Sequence, residues 1–148
     1  MIRYIKGDLF TTECELLAHG CNCRGGFGSG VAGQVARLYP HVRESYQEKY
    51  QRDGWKLGEI QIIEAEPKRW IANCATQDRY GGLIKDEVFA DYQAIHRVMT
   101  QLNDEIRTRG WRLAMPKIGA GLANGDWTRI EAIIESVFTD QPVDVYYL

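Results

Sequence analysis

The residues able to do chemistry crowd into two stretches. Residues 18–33 read AHGCNCRGGFGSGVAG, with His19 two positions before Cys21 and Asn22 between Cys21 and Cys23. Six glycines fall among the fourteen residues from Gly20 to Gly33. Residues 116–127 read PKIGAGLANGDW and hold Gly119, Gly121, Gly125 and Asp126. Each stretch follows an apolar run that reads as a strand and leads into a helical pattern. A helix N-terminus presents unpaired N–H groups and a partial positive charge. Glycine lets the main chain approach a ligand with no Cβ in the way. Two such loops suit a ligand with more than one phosphate, a diphosphate for example, and tight turns are the plain alternative for either loop alone. His19 is a candidate general acid or base at the mouth of such a site, and equally a satisfied structural histidine beside an apolar run. Asp126 is a candidate catalytic carboxylate or the N-cap of the last helix.

The remaining cysteines, Cys14 and Cys74, complete no zinc spacing and no disulfide framework with Cys21 and Cys23. No metal and no cofactor are expected, and four reduced thiols fit a cytoplasmic protein. The chain has 148 residues, enough for one domain with a real core, and 1–148 reads as a single unit. A net charge of −2 gives no bulk electrostatic case for nucleic acid or an anionic membrane. No apolar run has the length of a membrane span, and MIRYIKGD reads as a first strand rather than a leader.

The elements that must position these loops follow from periodicity and punctuation. Strands are predicted at Ile2–Lys6, Leu16–His19, Glu59–Ala65, Trp70–Ala75, Trp111–Met115 and Val143–Leu148. Helices are predicted at Val31–Tyr39, stopped by Pro40, and at Val42–Arg52, with Tyr46 and Tyr50 on one face. The longest runs from Phe89 to Arg107, with Phe89, Tyr92, Ile95, Met99, Leu102 and Ile106 as its apolar stripe and Gly110 as its cap. The last spans Trp127–Phe138, with Ile130, Ile133, Ile134 and Val137 inward. Alternating strands and helices predict an α/β domain with helices on both faces of a mixed, mostly parallel sheet. Gly28 to Gly33 matches G-x-G-x-x-G, but those glycines do not directly follow the strand. The positions about 20 residues on fall in a polar helix, so a dinucleotide dehydrogenase is rejected.

The combination KGDLF, AHGCNCRGGFGSGVAGQVARLYP, MPKIGAGLANGDW and VYYL, in that order and each at a strand end, resembles the macrodomain family over essentially the whole chain. The resemblance is nearest to its ADP-ribose 1″-phosphate phosphatase branch and more distant to its terminal ADP-ribose protein glycohydrolase branch. It implies a three-layer α/β/α fold binding ADP-ribose in a cleft. Asp8 matches the family's adenine-reading carboxylate, with Leu9 beside it; a turn-forming Asp is the alternative. Asn22 matches the amide at the distal ribose, and a side chain that both donates and accepts suits vicinal hydroxyls. Cys21, Gly28, Gly30, Val31 and Ala32 are expected at the first loop. Thr76 and Gln77 are expected after the central strand, and Pro116, Ile118, Gly119, Ala120, Gly121 and Leu122 at the second loop. One of Tyr146 and Tyr147 is expected on the adenine side, with Tyr147 assigned to the ligand. Arg79 is a candidate phosphate partner, and Tyr80 or Phe27 a stacking ring.

Departures from the family narrow the chemistry. Gln77 stands where the glycohydrolase branch has a Lys and Ala123 where it has an Asp, and Lys85 is no convincing substitute. A lysine-adduct mechanism is disfavoured. The resemblance implies a metal-independent hydrolase, with ADP-ribose 1″-phosphate as first substrate and His19, Asn22 and Asp126 as its catalytic candidates. An ADP-ribosyl hydrolase acting on a modified protein or nucleic acid, and a non-catalytic ADP-ribose reader, stay open. A monomer without membrane partners is the default.

Overall fold

The computed structural model describes residues 1–28, 30–79, 88–121 and 123–148. Its elements run β1 (Ile2–Lys6), a 3-10 turn (Leu9–Thr11), β2 (Leu16–Cys21), α1 (Gly30–Leu38), α2 (Pro40–Arg52), β3 (Ile60–Glu66), β4 (Arg69–Ala75), α3 (Tyr92–Arg109), β5 (Leu113–Met115), α4 (Trp127–Val137) and β6 (Val143–Tyr147). The six strands form one sheet in the order β1-β6-β5-β2-β4-β3. Every neighbouring pair is parallel except β3 with β4, which are joined by a short reversal at Pro67 and Lys68. The mixed, mostly parallel sheet expected from the alternation is therefore present.

Parallel strands are covered on both faces because their crossovers lay helices there. One face buries Leu16, Ala18, Ala72, Leu113, Met115, Val143 and Val145 under Ile95, Val98, Met99, Leu102 and Ile106 of α3 and Ile130 and Ile134 of α4. The other buries Leu17, Ile71, Ala75 and Ala114 under Val35 of α1 and Val42 and Tyr46 of α2. The alternation of side chains along β2, with Leu16 and Ala18 to one side and Leu17 and Cys21 to the other, is the period of a strand buried on both faces. No described helix is long and apolar enough to cross a membrane.

Most differences from expectation sit at element ends. β2 continues through Gly20 and Cys21, which keep parallel register with Cys74 and Ala75. Pro40 both ends α1 and opens α2, where its missing N–H would go unpaired in any case. The α3 helix begins at Tyr92, not Phe89. The Asp91 carboxylate caps it by accepting from Ala94 N, and the Phe89 and Ala90 amides donate instead to the Ala123 carbonyl. Gly110 ends α3 in the left-handed conformation, with φ of 69°. β5 is shorter than predicted, because Trp111 leaves the ladder to stack on Trp70 with ring centroids 4.3 Å apart.

Candidate functional site

β2 lies between β5 and β4. The chain leaves β2 through α1 on one face of the sheet and leaves β5 through α4 on the other. Connections that part in this way open a crevice at the carboxyl ends of the strands. A cleft of about 310 Å³ occupies it. Gly20, Cys21 and Asn22 border it from the end of β2, and Gly26, Gly30, Val31 and Ala32 from the first glycine loop and the opening of α1. Gln77 borders it after β4, and Pro116, Lys117, Ile118, Gly119, Gly121 and Ala123 border it after β5.

Asn22 builds the first loop. Its Oδ1 accepts from Arg24 N (2.8 Å) and Gly26 N (3.2 Å), while its Nδ2 donates to the Gly26 carbonyl (2.9 Å). Below it, the Tyr46 hydroxyl donates to the Asn22 main-chain carbonyl at 2.7 Å. Gly25, with φ of +84°, lies against the Tyr50 ring, where a Cβ would approach the ring carbons at 2.9 Å. Gly33 sets α1 against the loop: a Cβ there would stand 2.9 Å from the Gly28 carbonyl oxygen. The second loop is closed by Gly125 N donating to the Gly119 carbonyl at 2.7 Å, and a Cβ on Gly125 would fall 2.5 Å from that same oxygen. Both loops are thus main-chain structures whose close approaches require glycine, and Arg24 ties the first to Asp78 after β4 at 2.7 Å.

Several expected site residues meet at the cleft: Cys21, Asn22, Gly30, Val31, Ala32, Gln77, Pro116, Ile118, Gly119 and Gly121. Gly28 and Ala120 belong to the two loops without bordering the cavity. Leu122 and Tyr80, and with them Lys85, lie outside the described residues. Thr76 is fully buried beneath Gly20, its hydroxyl without a partner among the described residues and 2.6 Å from where a Gly20 Cβ would be. Asp8 caps the turn Leu9–Thr11 by accepting from Phe10 N at 2.9 Å, and Leu9 is buried. Tyr146 packs into the α1/α2 side of the core, whereas Tyr147 is 40% exposed on the α4 side.

Three candidate roles are corrected, and for His19 and Asp126 the structural alternative named with each is the one observed. His19 is not at the mouth of the cleft. It is completely buried, with Nε2 2.7 Å from Asn73 Oδ1 and its ring edge-on to Phe27. Asn73 Nδ2 donates in turn to Gln61 Oε1, and Gln61 Nε2 to the Ser45 carbonyl. That chain makes Asn73 Oδ1 an acceptor, so the His19 proton sits on Nε2. Burial lowers the His19 pKa to about 4, partly offset by the Asn73 hydrogen bond, so the ring is neutral at physiological pH. Asp126 is likewise no part of the cleft. Its carboxylate accepts from Thr128 N at 3.0 Å and caps α4. Phe27 is not a free stacking ring, being buried between His19 and Tyr46. Arg79 is exposed, with its guanidinium 5.5 Å from the centre of the Phe89 ring.

Four cleft residues were not anticipated as contacts: Gly20, Gly26, Lys117 and Ala123. For Lys117 the signal was available, since a lysine directly before a glycine loop at a strand end stands where an anion would be held. It is the one charged side chain bordering the cleft among the described residues. The Cys21 thiol also borders it. Burial, and then the neighbouring Cys74, push its pKa well up, so Cys21 is a neutral wall and not a ready nucleophile. Gln77 and Ala123, which stand where the glycohydrolase branch carries a Lys and an Asp, both line the cavity. The arrangement can hold phosphates with backbone N–H groups and offer amides to hydroxyls, and among the described residues it brings no carboxylate to the cavity wall.

Comparison with known proteins finds one family throughout. The macro domain family model matches residues 18–134. A 17.5 kDa protein of the tk-vs intergenic region of Enterobacteria phage T4 is 34% identical over 146 residues, covering 92% of this chain and 89% of that protein. The ADP-ribose 1″-phosphate phosphatase of Candida albicans is 28% identical over 157 residues and is covered, like this chain, in full. The macrodomain of Mycobacterium tuberculosis DarG superposes with a TM-score of 0.85 at 25% identity, covering 100% of this chain and 98% of that one.

Proposed function

The chain belongs to the macro domain family, and from that we propose that it binds ADP-ribose and hydrolyses an ADP-ribose derivative, ADP-ribose 1″-phosphate before others. The observation that carries the reading is the cleft between two glycine loops at the ends of β2 and β5, shaped by main-chain approaches that only glycine allows. Full-length similarity to phosphatases of this name supports the choice of substrate.

In the reaction, water adds to the 1″-phosphorus, the bond from phosphorus to the ribose oxygen breaks, and that oxygen leaves with a proton. Inorganic phosphate and ADP-ribose are the products. The loops' contribution is electrostatic: backbone N–H groups near the start of α1 and in the second loop stabilise charge on phosphate oxygens. Cys21, Val31, Ile118 and Ala123 exclude bulk water and strengthen those interactions. Calorimetric titration with ADP-ribose, beside AMP and NAD, tests binding. Phosphate release from ADP-ribose 1″-phosphate tests turnover. Submillimolar binding of ADP-ribose with phosphate release is the expected result, and absence of binding overturns the reading.

One observation favours a second reading, that of an ADP-ribose binder without chemistry. His19 and Asp126 are committed to the core and to a helix cap, and no other acid or imidazole among the described residues borders the cleft. Tight ADP-ribose binding without hydrolysis of either the 1″-phosphate or ADP-ribosylated protein or nucleic acid would select it.

A further inference from the structure

Beside the cleft, on the α4 side of the sheet, lies a second hollow bordered by Tyr4, Lys117, Trp127, Thr128, Glu131 and Tyr147. Lys117 is the residue that the two cavities share. Its ammonium stands 5.9 Å from the centre of the Tyr4 ring, 5.9 Å from that of Trp127 and 5.6 Å from that of Tyr147. Two of the rings are tied to one another: Trp127 Nε1 donates to the Tyr4 hydroxyl at 2.9 Å, and that hydroxyl donates to Glu131. No ion pair involves Lys117 among the described residues. A cage of rings attracts a cation through its quadrupoles but carries no net charge. The lysine is therefore held in place with its full charge still available, which a carboxylate partner would have cancelled.

We propose that Lys117 forms an anion subsite at the junction of the two hollows, where it takes a phosphate group of the ligand bound in the cleft. This rests on the reading of the cleft as an ADP-ribose site. Two features place the phosphate on the cleft side of the ammonium. Glu131 borders the outer hollow and would repel an anion seated deeper there. The cleft itself, among the described residues, carries no acidic side chain to compete. Backbone N–H groups supply neutral hydrogen bonds to the phosphates, and Lys117 adds a charged one that makes binding sensitive to salt.

The test is calorimetric titration of ADP-ribose into the wild type, Lys117→Met and Lys117→Arg, each at low and high salt. Lys117 is exposed, so the variants should unfold at the wild-type temperature, which a thermal scan checks. Lys117→Met should bind about tenfold more weakly or worse, the loss expected for a hydrogen bond to a charged group, with a shallower dependence of affinity on salt. Lys117→Arg should recover most of both. Wild-type affinity and salt dependence in Lys117→Met would overturn the subsite while leaving the cleft reading intact. A wild type that does not bind ADP-ribose would overturn both.

Discussion

His19 shows how burial turns a reactive side chain into a structural one. Its charged form would lose the hydration of bulk water, and Asn73 offers a single acceptor in return. The folded-state pKa of about 4 lies below the ordinary value of 6.5, so between those values the unfolded chain binds a proton that the folded one refuses. Stability is therefore lost as pH falls through that window. Between pH 7 and pH 5 this group should remove about 2 kcal/mol, read as a lower urea midpoint. In NMR the His19 ring should stay neutral down to roughly pH 5; titration near 6.5 would show that the ring reaches solvent. Asp126 makes a separate prediction. As a cap, Asp126→Ala should cost about 1 kcal/mol of stability, with ADP-ribose affinity and any turnover unchanged. Loss of turnover in a folded Asp126→Ala protein would return it to the chemistry.

The first glycine loop and α1 act as one element, because the Gly28 carbonyl fills the space a Cβ on Gly33 would need. Alanine is the better helix former, so on propensity alone Gly33→Ala should stabilise α1. The close approach reverses that expectation. A methyl 2.9 Å from a backbone oxygen must push α1 and the loop apart, an overpacking cost of about 1–3 kcal/mol. Gly33→Ala should lower stability by that amount and weaken ADP-ribose binding, measured by urea unfolding and calorimetry. Gly28→Ala is the control: nothing lies within 4 Å of its added Cβ, so the free protein should keep its stability. Equal destabilisation by both substitutions would show that the loop is not braced as described. The site was most readable at this level. Two glycine-rich segments, each between a strand and a helix, marked loops of close main-chain approach, and ten of the expected side chains and glycines do border one cavity. Lys117 was less readable, because its place at the cleft depends on rings brought to it from β1, α4 and β6.

The sheet order brings the carboxyl ends of β2 and β5 together although a long stretch of chain separates them, so ligand binding should be coupled to global folding. A ligand that binds only the folded state stabilises it by about 2.7 kcal/mol at a hundredfold excess over Kd. For a chain of this size that corresponds to roughly 5–10 °C in melting temperature. ADP-ribose should produce such a shift, and AMP a smaller one. An unchanged melting temperature at saturating ADP-ribose would argue against the cleft. The strand and helix succession, the two-faced sheet and the glycine loops could be read along the chain, since periodicity, caps and turn residues are local properties. The burial of His19 could not. It depends on the register that sets His19 opposite Asn73, and Asn73 opposite Gln61, across three strands. The same holds for Phe27 wedged against Tyr46, and for Lys117 caged by rings from β1, α4 and β6. Residue types and short-range spacing specify what a segment forms; which face meets which neighbour is decided when distant strands pair, and that pairing separated the buried histidine from the exposed lysine.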